Sequence, residues 1–140
     1  MKRNVSKKGL VGGRNPELTR KRILAAALRQ FVAHGYAGAR VDTIAAKARI
    51  NKRMLYHYFG DKRALFRAVL RQKITERSAW ASAAPENPFD ALPAWFDLCR
   101  RDPDWVRLLE WEALQWGDAR IIDEAHRRQL CVQAVARMRD

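Results

Sequence analysis

Two short helical patterns with about three residues between them constrain this chain more than any other feature. Residues Val41 to Ala48 place Ile44, Ala45 and Ala48 on one inner face, and residues Lys52 to Tyr58 follow Asn51, which can cap a helix start. Two short helices at so tight a turn form a helix-turn-helix, spanning about residues 39–58, whose second member is shaped to lie in a DNA major groove.

The flanking segments predict a scaffold of longer helices. A first helix opens at Asn15-Pro16, where Asn can accept orphan N–H bonds, Pro needs no partner and Glu17 suits the positive end of the dipole. Ile23, Leu24, Ala27, Leu28 and Phe31 then form one apolar stripe, which Gly35 closes in a left-handed conformation while Tyr36 folds back on the core. Asp61 caps a fourth helix, with Leu65, Phe66, Val69, Leu70 and Ile74 facing inward through about Ser82. A loop is expected at about Ala83 to Asn87, and three more helices near Phe89 to Arg101, Pro103 to Gln115 and Asp118 to Arg139. No segment alternates apolar and polar residues long enough for a strand, so the fold class is all-α.

The chain has 140 residues, 48% of them hydrophobic and 31% charged, a balance that excludes both disorder and membrane residence. The longest apolar run, Ile23 to Leu28, is far too short to span a bilayer, and no secretory h-region follows the basic N-terminus. A cytoplasmic location is expected. Cys99 and Cys131 form no CxxC and share no zinc-ligand spacing with His34, His57 or His126. Buried, reduced thiols are therefore the default, and neither a metal nor another cofactor is expected.

The net charge of +13 is carried by one half of the chain. Residues 1–75 contain 19 Lys and Arg against 3 Asp and Glu, whereas residues 76–140 contain 9 against 12. Every lysine lies at or before Lys73 and all five tryptophans come after it. This asymmetry points to a polyanion-binding module joined to a region of different chemistry. Residues 1–14, with five cations and three glycines, read as a flexible basic arm, equally consistent with a phosphate tether and with a solvated tail.

Enzymatic readings fail on the residues. Asp123-Glu124-Ala125-His126 spells a helicase box but lacks the P-loop that such a box requires. The carboxylate pairs Glu110/Glu112 and Asp102/Asp104 stand at i and i+2, so each pair faces apart on a helix. The remaining alternative to a sequence-specific regulator is a non-specific nucleic-acid packaging protein.

The runs TRKRILAAALRQFVAHGY (Thr19–Tyr36), VDTIAAKA (Val41–Ala48) and LYHYF-x-DK (Leu55–Lys62) resemble the N-terminal domain of TetR-family transcriptional regulators over about residues 17–77. The resemblance implies a DNA-binding domain at 15–77 and a helical effector-binding and dimerisation region at 78–140. It implies a homodimeric repressor that binds a palindromic operator on double-stranded DNA and releases it when a small molecule enters the second region. On the third helix it assigns DNA contacts to Asn51, Lys52, Arg53, Met54, Tyr56 and Tyr58. Beside these it points to Arg40, Thr43, Arg49 and Lys62. Lys and Arg can read guanine or grip phosphates, Met54 can pack on a thymine methyl, and Lys62 at a helix start suits a phosphate.

Three positions depart from the family pattern. Ala39 and Arg40 stand where a hydroxyl cap is usual, Arg49 replaces the turn glycine, and Arg53 replaces a small residue. In the second region Trp95, Phe96, Trp105, Leu108, Trp111 and Trp116 offer an aromatic lining for a planar apolar effector, with ordinary core as the competing role. The last helical pattern runs to Asp140 without a stop, which reads as a truncated chain. On that reading Trp111, Leu114, Ile121, Ile122, Leu130 and Val135 form an exposed apolar face.

Overall fold

The computed structural model describes residues 15–117 and 121–137. The basic arm expected at 1–14 lies outside them. Seven helices run through the described residues: α1 (Pro16–Gly38), α2 (Val41–Lys47), α3 (Lys52–Phe59), α4 (Lys62–Ala83), α5 (Pro88–Arg101), α6 (Pro103–Trp116) and α7 (Glu124–Arg137). Among the described residues there is no strand.

Side-chain caps open most of the helices, α2 excepted. Asn15 accepts from the N–H groups of Glu17 and Leu18, Asp61 from Ala64 at 2.7 Å, Asn87 from Phe89 and Asp102 from Trp105. Gly35 takes φ +67° and breaks α1, although one further turn reaches Gly38. Tyr36, just past that break, packs against Phe66 and Trp116 at centroid distances of 5.6 and 5.0 Å.

The helix-turn-helix rests on a single core. Ile23, Ala27, Phe31, Ile44, Leu55, Leu65, Phe66 and Leu70 are buried together, and the same cluster takes in Trp105 and Leu108 of α6. Burying side chains of this size contributes about 1.5–3 kcal/mol each against the entropy of ordering them. Lys73 and Arg77 of α4 both reach Asp102 at the α5–α6 corner, each at 3.0 Å. The second region is thus fastened directly to the first.

The last segment departs from its expected course. Residues 118–120 and 138–139 of the expected Asp118–Arg139 helix lie outside the described residues, and Ile121 to Asp123 are not helical, so α7 starts at Glu124. Tertiary contacts override the local periodicity here. The Ile122 N–H donates to buried Glu112 Oε1 at 2.7 Å, its side chain enters the core, and Asp123 takes φ +54° where Arg71 grips its carboxylate through Nε and Nη2. Glu112 also accepts from Arg127 at 2.7 Å.

The expected exposed apolar face is therefore only partly formed. Leu114, Ile121 and Val135 are exposed, but Ile122 is buried, and Trp111 and Leu130 are half-buried. The thiols also correct the expectation of burial, since Cys99 is half-buried and Cys131 exposed.

Candidate nucleic-acid interface

The turn between α2 and α3 is built by hydrogen bonds that place Arg49 in an unusual conformation. Arg49 N–H donates to Ala46 O and Ile50 N–H to Ala45 O, both at 3.0 Å, the paired pattern of a helix closed by a left-handed residue. Arg49 is that residue, with φ +56°. A left-handed non-glycine costs about 1–2 kcal/mol. Its side chain is exposed at the corner of the motif.

Asn51 opens α3, its Oδ1 accepting from Met54 N–H at 2.7 Å, so this residue acts first as a cap. Leu55 and Phe59 turn into the core, which leaves Lys52, Arg53, Tyr56 and His57 outward, with Met54 and Tyr58 half-buried at the edges. Arg40 begins α2 without a side-chain cap bond and is exposed, while Thr43 is half-buried. Among the described residues Arg40, Arg49 and Arg53 have no ion-pair partner, whereas Lys52 pairs with Asp42 at 3.1 Å.

Lys62 occupies a different setting from the open phosphate site expected for it. Its Nζ donates to Ala37 O at 3.3 Å and lies 4.9 Å from the Tyr36 ring centroid. Burial pushes its ammonium below the usual lysine range. It therefore links the end of α1 to the start of α4, and reaching a phosphate requires its side chain to swing outward.

The face includes residues that the motif reading passed over. His57 is exposed beside Tyr58 on α3, and the Arg20 guanidinium lies 5.1 Å over the Phe59 ring. The basic run Arg20-Lys21-Arg22 was the available signal for the second of these. Asp42 was missed because its partner Lys52 lies ten residues away, across the turn.

The six aromatic and aliphatic residues expected around an effector do not converge on one cavity. Trp105 and Leu108 belong to the closed core, and Trp111 donates its indole N–H to Val32 O at 3.3 Å. Trp116 packs on Tyr36 and Phe66 beneath Arg63. Trp95 pairs with Trp80, and Phe96 is exposed on the outer side of α5. Periodicity put all six on apolar faces, but Trp105, Leu108 and Trp116 of α6 close into or onto the core while Trp95 and Phe96 of α5 stay exposed. Among the described residues no group of three His, Cys, Asp or Glu side chains could hold a metal ion, and no helix is long and apolar enough to cross a membrane.

Comparison with known proteins agrees with this geometry. Residues 23–69 match the family model for bacterial regulatory proteins of the tetR family. The HTH-type transcriptional repressor SCO4008 of Streptomyces coelicolor is 40% identical over 134 residues, covering 93% of this chain and 68% of that protein. The HTH-type transcriptional repressor NicS of Pseudomonas putida is 33% identical over 114 residues, covering 76% of this chain and 54% of its own length. The crystal structure of SCO4942 from Streptomyces coelicolor superposes with a TM-score of 0.61 at 38% identity, over 72% of this chain and 56% of that one. The chain thus spans between about half and two thirds of these relatives. With a helix-turn-helix built on the same scaffold, and with a repressor relative 40% identical over 93% of this chain, it belongs to the TetR family of bacterial transcriptional regulators.

Proposed function

We propose that this chain is the DNA-reading part of a transcriptional repressor that acts on chromosomal DNA in the cytoplasm. The observation that carries the reading is the division of α3: Leu55 and Phe59 anchor it, while Lys52, Arg53 and Tyr56 face outward beside Arg40 and Arg49. A helix presented in this way can enter a major groove, with Arg53 positioned to read a base edge and the flanking cations to hold phosphates. The repressor sense follows the two relatives named as repressors, which this chain resembles.

In this reading the protein acts as a homodimer on a palindromic operator, because one head covers only one half-site. Release follows the binding of a small apolar or aromatic effector in the region of α5 to α7, with no further cofactor. The chain has no catalytic role in this reading. Selection of bound sequences from random duplex DNA tests it: a regulator prefers its operator by about 10³-fold or more at fixed salt. Equal retention of all sequences would instead identify a packaging protein.

A further inference from the structure

A groove of about 920 Å³ opens on the flank of the DNA-binding head, between the first half of α1 and the first two thirds of α4, with the end of α3 closing one side. Its floor exists because the side chains there are small or tucked away. Ala25, Ala64 and Ala68 leave the space between the two helices unfilled, and Leu24 and Phe59 are nearly buried beneath it. Its rim carries Arg20, Lys21, Arg67 and Arg71, and no acidic side chain lines it. Arg71 already holds Asp123, whose charge Arg67 also feels, but Lys21 and Arg67 are exposed and neither is in direct ion-pair contact among the described residues.

We propose that this groove binds a small amphiphilic anion, a molecule with a carboxylate or phosphate head on an unbranched apolar body. The two halves of the site call for the two halves of such a ligand. Exposed cations around a concave surface attract an anionic head, and charge of one sign focused by low-dielectric walls raises the local concentration of the opposite ion. Gln72 and Thr75 add polar groups on α4, but the alanine part of the floor gains nothing from a phosphodiester strand and loses its water to an alkyl chain. The volume falls within the range of small-molecule sites. The site lies on different helices from α5 to α7, so it goes beyond the effector region of the proposed function.

Titration calorimetry of the 140-residue protein with sodium decanoate, below its micelle concentration, tests the proposal against decanol, which has the same chain and no charge. Saturable binding of decanoate and at least tenfold weaker binding of decanol are expected. The double variant Lys21→Gln/Arg67→Gln alters two exposed side chains and should weaken decanoate at least tenfold, with an unchanged melting curve. Ala68→Phe should abolish binding by filling the floor. The proposal is overturned if decanoate and decanol bind alike, if decanoate does not saturate, or if either variant binds it as the parent does. A double variant that loses affinity only for DNA would make these cations part of the duplex contact instead.

Discussion

Gly35 and Trp111 occupy the same space so closely that a single added carbon on the glycine would lie 2.7 Å from Trp111 Cε3. The glycine also needs its positive φ, at ψ −177°, a conformation almost closed to residues with a side chain. This contact fits the end of α1 against α6, and the indole N–H completes it on Val32 O. Gly35→Ala is expected to destabilise the fold by about 3 kcal/mol, combining backbone strain and overpacking. Urea denaturation measures it, and the loss should shrink in a Trp111→Leu background, where only the backbone cost remains. An equal loss in both backgrounds would refute the steric part.

Arg49 provides a test of the opposite sign. Because it sits at φ +56°, Arg49→Gly should relieve steric cost and stabilise the chain by roughly 0.5–1 kcal/mol, partly offset by the greater freedom of glycine when unfolded. DNA affinity should fall in the same variant as a corner cation is lost. A less stable variant with unchanged DNA binding would contradict both expectations.

The Asp42–Lys52 pair restrains a cation of the DNA face. Asp42→Asn should free Lys52 and remove a negative charge, raising non-specific DNA affinity and steepening the salt dependence by about 0.9 in the logarithmic slope. Salt titrations of the parent and variant decide the matter. Stability should change little, since exposed pairs contribute at most about 1 kcal/mol.

Lys62→Gln should weaken specific and non-specific DNA binding alike and reduce the salt slope by about 1, provided that the side chain leaves Ala37 O for a phosphate. A slope equal to that of the parent would confine Lys62 to its structural role between α1 and α4.

Acid should loosen the α4–α6 corner and the segment before α7. Burial alone would raise the Asp102 carboxyl, but the Lys73 hydrogen bond and the nearby Arg77 charge bring it below the usual range. Asp123 is held low chiefly by its hydrogen bond from Arg71. Both groups bind a proton more readily in the unfolded chain, so their contribution is complete above about pH 5 and is lost as pH falls through the depressed folded values. Asp102→Asn keeps a capping oxygen but takes the carboxylate away from Arg77 and leaves Lys73 only Glu76 at 3.4 Å, and should cost about 3 kcal/mol at neutral pH. A flat stability curve for the parent between pH 5 and pH 2 would refute this account.

Local chemistry determined most of the architecture. Asn15, Asn51 and Asp61 start their helices where short acceptor side chains precede apolar stripes, and Gly35 ends the stripe of α1, because caps and 3.6-residue periodicity act within a few residues. The outward positions of Lys52, Arg53 and Tyr56 on α3 were legible for the same reason, but not that of His57, and Glu110 and Glu112 do differ in burial as their spacing implies. What each side chain meets was decided only by tertiary structure. Trp111 found Gly35, Lys62 turned to Ala37, Glu112 took the Ile122 N–H, and Ile121 to Asp123 left the helix that their pattern suggested. The aromatic residues of α5 and α6 differ in burial because an amphipathic pattern marks which face of a helix is apolar but not whether a neighbouring element covers it. The groove flanked by Lys21 and Arg67 had no sequence signal, since it depends on how α1 and α4 cross, and three alanines carry no mark of the space they leave open.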